Sequence, residues 1–158
     1  MNPILFLDFD GVVHPESCSS AQLFCGLPLI EEVLLRYPRV EIVISSSWRE
    51  HHGLQELQGH FSPALRDRVV GCTPIYRQDP CEPAQRHVRE IECTSWLRAH
   101  RPDAQWLALD DNPRLFRKGC QNLLSIDGRV GFTAADALRL DARLQPMQPV
   151  LQQAGDPL

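Results

Sequence analysis

The sequence predicts an α/β fold, a three-layer sandwich in which a mainly parallel sheet is covered by helices on both faces. Two observations carry this. Short apolar runs rich in β-branched residues alternate along the chain with stretches of helical periodicity. The runs read as strands buried on both faces, and that alternation of strand and helix is how parallel sheets are built. The ends of these runs carry acids and hydroxyls, and in such sheets ligands bind at the carboxyl ends of the strands.

Residues 4–8 form the first predicted strand. Leu29, Ile30, Val33, Leu34 and Tyr37 then recur at helical spacing until Pro38, which cannot continue a helix, stops them. Residues 40–44 are a second, β-branched strand ending at Ser45-Ser46-Ser47, so strand, helix and strand make a parallel crossover unit. Leu54, Leu57 and Phe61 predict a short helix after Trp48, and residues 68–72 a third strand. Residues 73–83, with Pro74, Pro80 and Pro83, read as an irregular connection. Val88, Ile91, Cys93, Trp96 and Leu97 predict a helix leading to a fourth strand over residues 105–109, which ends at Asp110-Asp111-Asn112-Pro113. A fifth strand over residues 123–126 ends near Asp127-Gly128, and Thr133 caps a last helix running to Leu144, with Asp136 as its reciprocal acid. One domain is expected over residues 1–144, with the Gln/Pro-rich residues 145–158 as a loose tail.

A chain of 158 residues, 43% hydrophobic, fits a single core. Its formal charge of -4 does not favour a general nucleic-acid binder, although it leaves room for a local basic groove. The six cysteines have no zinc-type spacing and read as scattered thiols. There is no secretory leader pattern and no run near the roughly 18 apolar residues of a membrane span, so a reducing cytoplasm is expected.

The chemistry starts from Asp8-Phe9-Asp10-Gly11. In an extended strand alternate side chains share a face, so Asp8 and Asp10 can point together, and two such anions call for a cation, a shared proton or phosphate chemistry. Read with Asp110-Asp111, this run resembles the haloacid dehalogenase-like (HAD) phosphohydrolases over roughly the first 130 residues. The resemblance implies a Rossmann-like sheet and an aspartyl-phosphate mechanism. Asp8 would be the nucleophile and Asp10 the general acid and base. Magnesium would be held by Asp8, the backbone carbonyl of Asp10 and a member of the Asp110-Asp111 pair, with Asp111 preferred as the direct ligand and Asp110 behind it.

The same resemblance asks for a hydroxyl after the second strand and a basic side chain near the phosphate. Ser45 is the first hydroxyl there, with Ser46 and Ser47 as competitors, and a helix-capping serine cluster is the plainer reading. The only lysine, Lys118, lies past the acidic pair, so an arginine must serve: Arg89, with Arg86 as nearest competitor. Trp48, Trp96 and Trp106 read as core more than as base-stacking residues, His14 as a loop residue although it follows the first motif closely enough to touch substrate, and Arg114, Arg117 and Lys118 as a solvated basic face.

The intervals from Asp10 to Ser45 and from there to Asp110 are mostly spent on core elements, which leaves little or no cap domain. An open site suits phosphates carried on large molecules: phosphoprotein, nucleic-acid ends taken as substrate, or an exposed small phosphomonoester. No membrane partner is expected. A receiver domain places its acidic pair early and its phosphoacceptor later, the reverse of this order. The alternative from another class is a non-catalytic metal- or phosphate-binding protein on the same scaffold.

Overall fold

Ile4, Leu5, Phe6 and Leu7 are all buried, because the strand they form, β1 (Ile4–Leu7), lies at the centre of its sheet. The structure, a computed structural model, describes residues 1–147. Its five strands are β1, β2 (Glu41–Ile44), β3 (Val69–Cys72), β4 (Trp106–Asp110) and β5 (Leu123–Ser125), all parallel, in the order β3-β2-β1-β4-β5. The helices are α1 (Leu27–Leu35), α2 (Leu54–Gln58), α3 (Pro63–Arg66), α4 (Val88–His100) and α5 (Ala134–Leu144).

The period of two along each strand divides the core into two layers. Leu5, Leu7, Ile42, Ile44, Leu107 and Leu109 face one side, where α1 and α5 bring Ile30, Val33, Leu34, Leu140 and Leu144. Ile4, Phe6, Val43 and Ala108 face the other, against Cys93, Trp96 and Leu97 of α4. Phe6 meets Trp96 and Trp106 edge-on, with centroids 6.0 and 5.7 Å away; Trp96 is core as expected, while Trp106 is half-buried and packs against that core. Each fully buried large side chain here contributes on the order of 2 kcal/mol through apolar area removed from water. Helices on both sides make this the Rossmann-like α/β sandwich that was expected, with no cap domain among the described residues.

The elements follow the sequence closely, with local differences. Thr133 and Asp136 form the expected reciprocal cap: the Thr133 N–H donates to Asp136 Oδ2 at 3.0 Å and the Asp136 N–H to Thr133 Oγ1 at 3.3 Å. Tyr37 lies past α1 rather than on it, and its hydroxyl donates to Asp141 Oδ1 of α5 at 2.6 Å. Arg68 precedes β3 instead of starting it. Its guanidinium donates to the carbonyls of Leu34, Tyr37 and Val40 at 2.7–2.9 Å, a claim on the side chain that periodicity does not register. The short helix α3 was not anticipated.

Of the expected tail, residues 145–147 make a turn of 3₁₀ helix with Met147 against the core. The rest of it lies outside the described residues. All six cysteines are free thiols, and no helix among the described residues is long and apolar enough to cross a membrane.

From β1 the sheet is built outward in both directions, to β2 on one side and to β4 on the other. The chain therefore leaves a crevice at the carboxyl ends of these central strands, where their connections diverge.

Candidate active site

Three of the acids that the sequence singled out meet in that crevice. Carboxylate oxygens of Asp8, Asp110 and Asp111 all lie within 4.8 Å of one another. Asp8 follows β1 and is buried; its Oδ1 accepts the Phe9 N–H at 2.8 Å. Asp110 ends β4, with Oδ1 accepting the Asn112 N–H at 2.9 Å. Asp110 Oδ2 is buried without a hydrogen-bond partner among the described residues.

Asp111 is half-buried and sits in a cradle of two glycines. A Cβ on Gly11 or on Gly128 would overlap Asp111 Oδ2, and Gly11 also holds φ at +76°, where side chains are strained. In the sequence Gly11 only closes the first acidic run, and Gly128 only ends the fifth strand.

Asp10 takes a different place. The strand stops at Leu7, the chain turns at Gly11, and the Asp10 carboxylate lies outside the three-acid cluster. Its Oδ2 accepts the Trp48 indole N–H at 3.1 Å, and its Oδ1 meets His14 Nε2 at 2.9 Å. The Phe24 N–H donates to His14 Nδ1 at 3.2 Å, which leaves Nε2 to carry the imidazole proton toward Asp10. His14, read from sequence as a loop residue, is thus fully buried and orients Asp10. Trp48, read as core, packs edge-on against Phe9 and Phe24 yet gives its polar handle to the same carboxylate.

Arg89 supplies the positive charge. It lies in the first turn of α4, with Nη1 3.6 Å from Asp8 Oδ1 and 3.5 Å from Asp110 Oδ2, and it donates to the Ser45 carbonyl. Arg86 is exposed and faces a separate groove. The three serines also part company. The Ser45 hydroxyl is buried with no partner among the described residues, Ser46 caps the 3₁₀ turn Ser47–Glu50 by accepting the Trp48 N–H, and Ser47 is exposed.

A buried pair that the sequence reading missed holds this turn. Arg49 Nη2 lies 2.7 Å from Glu92 Oε2, while Nη1 donates to the carbonyls of Ser45 and Ser46, each at 2.8 Å, and Nε to that of Thr73 at 3.0 Å. Glu92, one turn along α4 from Arg89, also lies 3.5 Å from its Nε. The available signals were a lone arginine after the serines and a glutamate on the apolar side of α4, both of which look like surface residues in one dimension.

Crowding shows in the acid strengths. Burial first and Asp8 second push Asp110 up to about 7, with Arg89 pulling back, and burial and Asp8 push Asp111 up to about 6. Asp8 is raised as well, by burial above all, against the opposing pull of Arg89 and the Phe9 N–H. Three acids held above their ordinary range, one oxygen orphaned and an all-oxygen donor set together fit a hard divalent cation such as magnesium.

The family model described as the HAD domain in Swiss Army Knife RNA repair proteins matches residues 4–137, from β1 into α5. No curated protein and no solved structure matched the chain.

Proposed function

We propose that this chain, which belongs to the family of HAD domains in Swiss Army Knife RNA repair proteins, is a magnesium-dependent phosphomonoesterase working through an aspartyl phosphate on Asp8. The observation that carries the reading is the convergence of Asp8, Asp110 and Asp111 within 4.8 Å beside the largely covered Arg89. Magnesium held by Asp8, Asp110, Asp111 and the Asp10 carbonyl would supply charge to offset that of the phosphoryl oxygens.

The side chains then divide the work. The Asp8 carboxylate attacks phosphorus, and the bond to the leaving oxygen breaks as Asp10 gives that oxygen its proton. Asp10 next takes a proton from water, which attacks the acyl phosphate, releasing inorganic phosphate and restoring Asp8. Arg89 offers N–H donors to the phosphoryl oxygens, and the unpartnered Ser45 hydroxyl offers another. His14 and Trp48 keep Asp10 pointed at the leaving group.

With no cap domain among the described residues, the site admits phosphates on large molecules, and the family description favours RNA ends among them. The test is turnover of p-nitrophenyl phosphate with magnesium and with EDTA, for the natural chain and for Asp8→Asn. Magnesium-dependent turnover that falls at least about a thousandfold in Asp8→Asn is expected. Unchanged turnover in that variant would reject the mechanism, and no turnover by the natural chain would leave the non-catalytic binding protein as the better account.

A further inference from the structure

A cavity of about 810 Å³ forms a groove beside the acidic crevice. It opens along the same edge of the sheet. Its lining includes His87, two positions before Arg89, the segment from Pro113 to Cys120 that follows Asp111, and Ser125, which pairs with Asp110 across β4 and β5. Arg86, Arg114, Arg117, Lys118 and Arg139 all line it, and no carboxylate does. In a chain whose formal charge is -4, that is a strong local reversal of sign.

Two of these cations are already matched: Arg117 pairs with Glu90 at 2.8 Å and Arg139 with Asp136 at 2.7 Å. Arg86, Arg114 and Lys118 have no carboxylate partner among the described residues. Pro113, Leu115, Phe116 and Leu123 line the groove as well, so apolar side chains stand among the charged ones. A free phosphate would need neither so many cations nor the apolar lining. A strand with repeating phosphates along one side and flat apolar bases along the other uses both.

We infer that this groove binds the backbone of a single-stranded nucleic acid whose terminal phosphate reaches Asp8. The inference rests on the phosphatase reading for the fate of that phosphate, but not for the binding itself. A phosphopeptide fits less well, because its charge is concentrated in the one group that the acidic crevice already takes, which leaves the spaced cations without partners.

The test is binding, measured on full-length Asp8→Asn so that nothing turns over. A fluorescent ten-nucleotide oligoribonucleotide bearing a 5′ or a 3′ phosphate is titrated by anisotropy in magnesium at several salt concentrations. Arg114→Gln with Lys118→Gln is expected to weaken binding at least tenfold and to flatten the salt slope by about 0.7 for each charge removed. Both side chains are exposed, so an unchanged melting temperature shows that the fold is kept. Binding that is undetectable at low salt, that ignores the double substitution, or that is matched by a phosphopeptide of equal charge overturns the inference. Because p-nitrophenyl phosphate reports on the crevice alone, loss of strand binding and loss of chemistry are read separately.

Discussion

At the scale of single residues, Asp10 illustrates how the proposed general acid is aimed. A carboxylate half open to solvent would sample many rotamers, and here the Trp48 and His14 donors at 3.1 and 2.9 Å choose one. Trp48→Phe keeps the edge-on aromatic contacts and removes one donor. A net hydrogen bond is worth about 1 kcal/mol, so kcat should fall roughly five- to tenfold with little change in KM. An unaltered kcat would mean that Asp10 is placed by His14 alone or is not used. Asp111 sits where neither Gly11 nor Gly128 carries a Cβ that would overlap its Oδ2. Asp111→Asn should raise the magnesium concentration needed for half-maximal activity at least tenfold, measured by metal titration, and an identical titration curve would remove Asp111 from the ion's ligands.

Among the elements, the turn after β2 depends on α4. Arg49 satisfies the carbonyls of Ser45, Ser46 and Thr73 while Glu92 neutralises it, and both side chains are almost wholly buried. Replacing one partner of a buried ion pair strands the other. Arg49→Met should therefore cost about 3 kcal/mol in urea unfolding, because among the described residues Glu92 keeps only Arg89 at 3.5 Å and the Tyr76 N–H as partners. A loss below about 0.5 kcal/mol, the size of a typical surface substitution, would show that the pair is not structural. One helix thus sets Arg89 beside Asp8 and Asp110 and, through Glu92, holds the serine turn opposite it.

For the whole molecule, the consequence is a dependence of stability on pH that reverses ordinary acid denaturation near the site. Asp110 and Asp111 bind protons in the folded chain up to about 7 and about 6, against about 3.9 for an unfolded aspartate. Between those limits the folded state holds more protons than the unfolded one, so this contribution is full below about pH 4 and is lost as pH rises to about 7. Metal must displace those protons, so its stabilising effect grows over the same range. Thermal melts in EDTA should show the midpoint falling from pH 5 to pH 7.5, and added magnesium should raise it more at pH 7.5 than at pH 5. A magnesium shift of equal size at both pH values would count against an ion on these acids.

The sandwich was readable in one dimension because each strand is a short apolar run and each main helix a periodic one, and burial on two faces demands those patterns. The strand-end acids were readable for the same reason, since a carboxylate directly after a buried strand interrupts an apolar run. The resemblance to the HAD phosphohydrolases followed from the same residues, and the family match covers the stretch that carried it. The parting of the three serines and the Arg49–Glu92 pair were not readable there, because helix phase and turn geometry decide which way a polar side chain faces.

Asp10 makes the division clearest. Alternation along an extended chain set it beside Asp8, but the turn at Gly11 took it to His14 and Trp48. Local pattern determines which segments must be buried, because burial is a property of each segment's own side chains. Which polar groups meet is decided only when the chain closes on itself, because those contacts join residues a hundred positions apart, as at Asp8 and Asp110.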